Sequence, residues 1–346
     1  MSAGAGIPEP GAGWRRADGA PAQQRESRRR GTGSKPGVSM VAEAEFTSYY
    51  GRPVLKAPTW KQPDVPAYLF LGGAAGTSAM LGTLAEVTDR PALAAVAHRV
   101  ASAGALASVG FLVHDLGRPA RFLHMLRVLK VTSPLSVGSW ILAPFSALTT
   151  ATAGAQLLGW FPRLRRVTGA VAAVLGGPMT TYTAVLIANT AVPSWHEPHR
   201  ELPYLFAGSA AAGGGALCSV FTPVAEAAPA RRMAIAGAAV ELAVMQRVEH
   251  GHGLVSEPFR IGRAGLLLRL ARTSTATGAG LLLVAGRRRW AAVAGGALVA
   301  AGSALTRFGV FDAGMTSARD PKYTVEPQRE RARAREVARQ QEDARR

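Results

Sequence analysis

Three windows of this sequence, Val137–Trp160, Val167–Val192 and Leu202–Ala225, contain no Asp, Glu, Lys or Arg at all. A hydrocarbon layer about 30 Å thick is crossed by roughly 20 helical residues rising 1.5 Å each. Each window is therefore long enough to span a bilayer, and longer than a buried helix of a soluble protein needs. Five further apolar windows flank them: Pro66–Val87, ending on Glu86; Pro91–Val113, with His98 and Arg99 near its start; Met233–Gln246, boxed by Arg231, Arg232 and Arg247 and holding Glu241; Ala264–Gly286, with Arg269 and Arg272 on one helical face; and Trp290–Phe311, apolar until Arg307. The expectation is an all-α integral membrane protein of eight transmembrane helices, in which the Gly309–Asp312 stretch returns the last span to the interface.

Composition agrees. Apolar residues make up 48% and charged residues only 18% of the chain, below the roughly 25% charged share of soluble domains. The windows are rich in Gly and Ala, as at Gly72, Gly73, Gly76, Gly208 and Gly213–Gly215. Lipid offers no hydrophobic drive between helices, so small residues that admit close backbone approach point to a packed bundle; a compositional bias of the coding sequence is the alternative source of any one of them. The one cysteine, Cys218, excludes a disulfide framework, and any thiolate cage for zinc or an iron–sulfur cluster built from this chain alone.

The net charge of +18 invites a nucleic-acid reading, but its distribution argues otherwise. Residues 1–65 carry ten cations against six acids and residues 312–346 nine against seven, which leaves 21 cations and nine acids in and between the spans. The excess is a loop property, available to lipid headgroups, orientation and partners, and no nucleic-acid partner is expected. Residues 1–65, with Trp14–Arg16 and Ser27–Arg30, read as a disordered basic tail. The first apolar stretch starts too far downstream for a twin-arginine export signal, and Met40 is a candidate start. Residues 312–346 read as a polar tail that ends in a short solvated helix. An even number of spans puts both termini on one side. Arginines crowd the opposite tight turns (Arg90; Arg163, Arg165 and Arg166; Arg231 and Arg232; Arg287–Arg289), which places those turns in the cytoplasm and the termini outside.

The longest connection, His114–Trp140, reads HDLGRPARFLHMLRVLKVTSPLSVGSW. Its Gly117-Arg118-Pro119 triplet stops the second helix, and Arg118, Arg121, Arg127 and Lys130 suit phosphate headgroups or an acidic partner surface. With YLFLGGAAG at Tyr68–Gly76, HDLGRPARF at His114–Phe122, SPLSVGSW at Ser133–Trp140 and TYTAVLIANTAVPSWHE at Thr181–Glu197, the chain resembles the membrane subunits of polysulfide-reductase-like molybdoenzymes, the NrfD/PsrC type, over about residues 45–325. The resemblance implies two four-helix bundles in the cell membrane and an exchangeable quinone (menaquinone or another) near the membrane surface. It also implies an iron–sulfur ferredoxin-like partner, a molybdopterin catalytic subunit as in respiratory formate or sulfur-compound oxidoreductases, and no haem or iron–sulfur cluster of the chain's own.

Quinone reduction takes up two protons with two electrons, so such a site needs donors to the carbonyls and a proton path. Tyr182 is the first candidate donor, and an interfacial belt tyrosine is the alternative reading. His114 and Asp115, where the second span ends, are placed to relay protons, unless His114–Asp115 simply forms a helix end paired with Arg118. The resemblance implies a polar group such as histidine at the start of the first span, where this chain offers Tyr68. Asn189 and Glu241 are further candidates, Glu241 with Arg269 or Arg272 as partner. His98, His250 and His252 raise the rival of a haem anchor; only His98 falls inside a span and no mate stands at matching depth. In VPSWHEPH (Val192–His199) two prolines make a loop of what resembles a metal motif, and interfacial docking is expected. Two other functions remain at this stage: a small-solute transporter lined by Glu241, Arg269 and Arg272, and a structural anchor whose quinone site has degenerated.

Overall fold

The computed structural model describes residues 54–159, 161–285 and 288–346. The arginine clusters at 14–16 and 28–30, and Met40, lie outside the described residues. Each of the eight apolar windows forms a helix: α1 Asp64–Val87, α2 Pro91–Leu116, α4 Pro134–Leu158, α5 Pro162–Ala188, α7 Leu202–Phe221, α8 Ala228–His250, α9 Gly262–Val284 and α10 Arg289–Arg319. Short helices α3 Ala120–Met125 and α6 Pro193–His196, and a 3-10 segment Gly253–Phe259, occupy connections, and α11 Lys322–Asp343 closes the chain. Among the described residues there is no strand. Six helices, α1, α2, α4, α5, α7 and α10, are long and apolar enough to cross a membrane, and the chain is a multi-pass membrane protein. Helices α8 and α9 are 23 residues each but carry too much charge to meet that standard: Arg231, Arg232, Glu241, Arg247 and Glu249 in α8, and Arg263, Arg269 and Arg272 in α9.

Helix boundaries follow local chemistry. Proline stands in the first turn of α2, α4, α5, α7 and α8, where its missing N–H costs nothing. Gly117 (φ 70°) and Gly159 (φ 68°) end α2 and α4 in the left-handed conformation. Charges on the tight turns satisfy helix ends that would otherwise leave bare backbone groups. Glu226 Oε2 accepts the amide protons of Ala92 (2.8 Å) and Leu93 (3.2 Å) at the start of α2. Arg289 donates to the Ser219, Val220 and Thr222 carbonyls at the end of α7.

Helix α1 is central: it packs on α2, α5, α7 and α10, while α4 lies on α2 and α5, and α9 and α8 lie outside α10 and α7. The glycine-rich seams do what their composition suggested. A Cβ on Gly76 would stand 2.7 Å from the Gly176 carbonyl, and one on Gly278 2.7 Å from that of Gly295, so α1–α5 and α9–α10 come into backbone contact only because these positions carry no side chain.

Two boundaries differ from expectation. Helix α10 continues past residue 311 to Arg319, and Ala313, Gly314 and Ser317 are buried in it. The end of the expected N-terminal tail is bound to the helical body: Trp60 stacks on Trp195 (5.6 Å), which tilts against Phe311 (5.6 Å) and donates from Nε1 to the Val310 carbonyl at 2.8 Å. Gln62 Nε2 donates to Asp312 Oδ1 at 3.3 Å. Large aromatic faces stack here because they bury much area at little cost in conformational freedom.

Candidate functional site

The first turn of α1, the last of α2 and the last turns of α5 meet at one end of the helices. Asp64, buried to 3% exposure, sits in the first turn of α1, where the helix N-terminus favours a carboxylate. Its Oδ2 lies 2.7 Å from His114 Nδ1, and the His114 side chain is 76% exposed. A carboxylate only accepts, so the proton of this bond is carried by Nδ1 and the exposed Nε2 is left to exchange protons with whatever approaches. Asp115 beside it accepts the backbone N–H of Lys61 at 2.9 Å. The alternative reading, a helix end closed by an ion pair to Arg118, is not formed among the described residues: Asp115 accepts from Lys61, and His114 is held by Asp64.

One turn beyond Asp64 on the same face of α1 stands Tyr68, buried, whose carbonyl accepts from Ser108 Oγ at 3.2 Å. Its phenol is within electrostatic reach of both Tyr182 and Asp115. Neither Tyr68 nor Tyr182 makes a side-chain hydrogen bond among the described residues, so both hydroxyls are available. The Tyr182 ring lies directly over Gly138 of α4, where any side chain would collide with it; the glycine of SPLSVGSW is thus the seat of the tyrosine of TYTAVLIANT. Tyr182, Leu186 and Asn189 follow one another at helical spacing along α5. The last two open into a cleft of about 360 Å³ that Trp60, Lys130, Pro134 and Leu135 also line. Tyr182 therefore lies one helical turn from Leu186, which lines the cleft.

Of the sequence candidates, Tyr68, Tyr182, His114, Asp115 and Asn189 come together here; Glu241 does not. It lies in α8 at 2% exposure and accepts from Ser303 Oγ (2.8 Å) and Thr306 Oγ1 of α10. Its expected pairing with Arg269 or Arg272 is overturned. Arg272 pairs with Glu249, and Arg269 Nε donates to the Gly265 carbonyl at 3.2 Å. The buried cation near Glu241 is Arg307, only 1% exposed. Arg307 lies 3.6 Å over the Phe206 ring and donates to the Phe206 carbonyl at 2.7 Å. The reason is packing order: α8 turns Glu241 toward α7 and α10, not toward its sequence neighbour α9.

The three histidines of the haem alternative have separate partners: His98 meets Glu86 (3.3 Å), His252 meets Glu201 (3.5 Å), and His250 Nδ1 is 3.1 Å from the Gln246 carbonyl. In the 192–199 loop the rings of His196 and His199 stack at 5.9 Å, and Glu197 pairs with Arg331 of α11 at 2.7 Å. Arg118, Arg121, Arg127 and Lys130 are all exposed, alternating with exposed Leu123, Val128, Leu129 and Val131, a mixture suited to a partner or a headgroup layer. Sequence reasoning missed Asp64, which had been assigned to the tail; the signal available was an acid directly ahead of the first apolar window.

The fold and this site define a helical multi-pass membrane protein with a polar cluster at one end. Residues 57–246 match the family described as Polysulphide reductase, NrfD. That is more than half of the chain, and the protein belongs to this family, whose members are membrane subunits of oxidoreductase complexes. No curated protein matches the chain.

Proposed function

We propose that this chain is the quinone-interacting membrane anchor of a molybdopterin and iron–sulfur oxidoreductase complex, of the polysulfide reductase or formate dehydrogenase type. The observation that carries the reading is the convergence of the Asp64–His114 pair with two phenols that bond no side chain among the described residues, Tyr182 being one helical turn from a residue of an open cleft. In this reading α8 and α9 cross the membrane as well, giving eight spans in two groups of four, with the termini outside and the arginine-rich turns in the cytoplasm.

The residues fit a quinone. A bound quinone (menaquinone or a relative) would supply two-electron, two-proton redox chemistry; everything else falls to the chain. Tyr182 and Tyr68 are placed to donate hydrogen bonds to carbonyl oxygens. Trp60, Leu135 and Leu186 offer apolar walls to the ring and tail. His114 Nε2 delivers or takes up the proton while Asp64 holds the imidazole in one orientation, and Asp115 lies next in line. With one cysteine, the chain needs an iron–sulfur, ferredoxin-like partner to bring the electrons and a molybdopterin subunit for the substrate, and the exposed Arg118–Lys130 segment is the surface that would receive the former.

The transport alternative has lost its basis, because Arg269 and Arg272 do not line a path with Glu241. The test is quinone binding by the complex in nanodiscs, followed by fluorescence quenching. Tyr182→Phe and His114→Gln should each weaken binding or turnover, and purification should bring down a cysteine-rich subunit. Unchanged binding and unchanged turnover in both variants, or a stable solitary protein, would sink the reading.

A further inference from the structure

At the opposite end of the helices, the 88–90 turn, the end of α4 and the first turn of α5 enclose a cleft of about 480 Å³. Its charged and polar lining is Glu86, Asp89, Arg90, Gln156, Arg165 and Arg166. Arg165 is already engaged: its Nε lies 3.4 Å from Glu86 Oε1, which also faces Nε2 of buried His98 at 3.3 Å. Arg90 and Arg166 have no acidic partner among the described residues. Gln156 Oε1 is buried and accepts no hydrogen bond, a state that costs stability unless a donor from outside the chain supplies it.

The surroundings say what kind of molecule fits. Three guanidinium groups against two carboxylates leave the cleft one positive charge in excess, the complement of a single phosphodiester. Next to Gln156 and Arg165 along the chain, Leu157, Leu158, Phe161 and Leu164 are exposed by 52% to 68%, at the facing ends of two membrane-crossing helices, where acyl chains lie. A soluble phosphate would use the arginines and leave these side chains bare. A headgroup with free hydroxyls would also satisfy the acceptors, Gln156 Oε1 and the Asp89 carboxylate.

We propose that this cleft is a binding site for an anionic phospholipid with a hydroxyl-bearing headgroup, its phosphodiester held by Arg90 and Arg166 and its headgroup hydroxyls donating to Gln156 and Asp89. The site lies at the far end from the quinone cluster and depends on none of its residues.

The test is native mass spectrometry of the full-length protein taken from nanodiscs of equal phosphatidylglycerol and phosphatidylcholine. The wild type should retain phosphatidylglycerol over phosphatidylcholine by roughly tenfold, and Arg90→Gln/Arg166→Gln should abolish the preference, whereas Arg333→Gln/Arg335→Gln should keep it. Gln156→Leu should lower retention of phosphatidylglycerol relative to phosphatidic acid, which has no headgroup hydroxyl. Should the double variant not fold, each single substitution should lower the preference by itself. No preference in the wild type, or one that persists without both arginines, overturns the site. Displacement of the lipid by millimolar glycerol 3-phosphate overturns the lipid assignment in favour of a soluble phosphate.

Discussion

Asp64 and His114 stand fifty residues apart in sequence and 2.7 Å apart in space, with the carboxylate buried and the imidazole exposed. In the proposed function the asymmetry gives each a distinct role: Asp64 would orient the imidazole, and His114 would exchange protons with what lies outside. Replacing His114 by Gln should slow quinone turnover by about 100-fold, the lower range for loss of a positioned acid–base group. Asp64→Asn should preserve the packing but reverse the polarity of the bond, since the amide can also donate, and should lower turnover while quinone affinity changes little. Steady-state rates and binding measured on the same nanodisc preparation separate the two. Equal loss of binding and rate in Asp64→Asn would show a merely structural carboxylate.

The Tyr182 ring rests on Gly138, so the two positions are coupled. Gly138→Ala must push the ring or α4 aside, with a cost of about 1–3 kcal/mol for an overpacked contact. Tyr182→Phe keeps the ring and removes only the hydroxyl. We expect Tyr182→Phe to leave thermal stability within about 0.5 kcal/mol of wild type while weakening quinone binding, and Gly138→Ala to lower both. In the double substitution Gly138→Ala/Tyr182→Ala, stability should recover part of the loss. A double-mutant cycle on melting temperatures reads the coupling directly.

Three windows were legible because nothing else in a chain needs twenty uncharged residues, the other five because charge is sparse in long apolar runs, and all eight became helices. The α5 face was legible as well: Tyr182 and Asn189 are seven apart and fall on one side of a helix wherever that helix packs. Asp64 was hidden because a lone acid before a hydrophobic run looks like the end of a solvated tail. Its burial depends on α2 returning alongside α1. Arg307 was hidden for a similar reason, since a cation near the end of an apolar window ordinarily snorkels outward; α10 instead runs on to Arg319 and carries Arg307 into the interior. In each case the missing information was the order in which helices pack, which periodicity within one helix does not contain.

That interior group makes its own prediction. Arg307 Nε and Nη1 have no hydrogen-bond partner in the structure, and Glu241 is the acid nearest to it, so removing the carboxylate strands a buried cation. Glu241 and Arg307 are in electrostatic reach but make no direct ion pair, so Glu241→Leu should destabilise by about 1–3 kcal/mol, the cost of leaving the buried Ser303 and Thr306 hydroxyls without this acceptor. Glu241→Gln retains acceptors for Ser303 and Thr306 and should cost less. Glu241→Leu/Arg307→Met should recover stability relative to Glu241→Leu. Chemical or thermal unfolding in detergent gives the order, and a double variant no better than the single would show that Arg307 and Glu241 act independently.

The C-terminal helix is clasped to the 253–259 turn by Lys322, whose Nζ donates to Glu257 Oε2 at 2.9 Å, with the Tyr323 hydroxyl donating to the same oxygen at 3.3 Å. Burial pushes the Tyr323 phenol up to about 12, so it remains a donor through the neutral range. The Lys322 hydrogen bond holds the Glu257 carboxyl below its ordinary value and, by the same contact, holds Lys322 above its own. The depressed carboxyl contributes stability above its unfolded value, about 4.3, and loses it as pH falls through the lower folded value; the raised ammonium contributes below about 10.4 and loses it as pH rises through the higher folded one. The bond is half-exposed, so the clasp is worth no more than about 1 kcal/mol, enough to shift the docking of a terminal helix without unfolding the protein. A nitroxide on Val337→Cys should therefore show constant mobility between roughly pH 5 and 9 and rising mobility on either side. Glu257→Gln or Lys322→Met should raise mobility throughout that plateau and flatten both limbs, and a label that ignores both substitutions would mean that Arg331–Glu197 alone holds α11 in place.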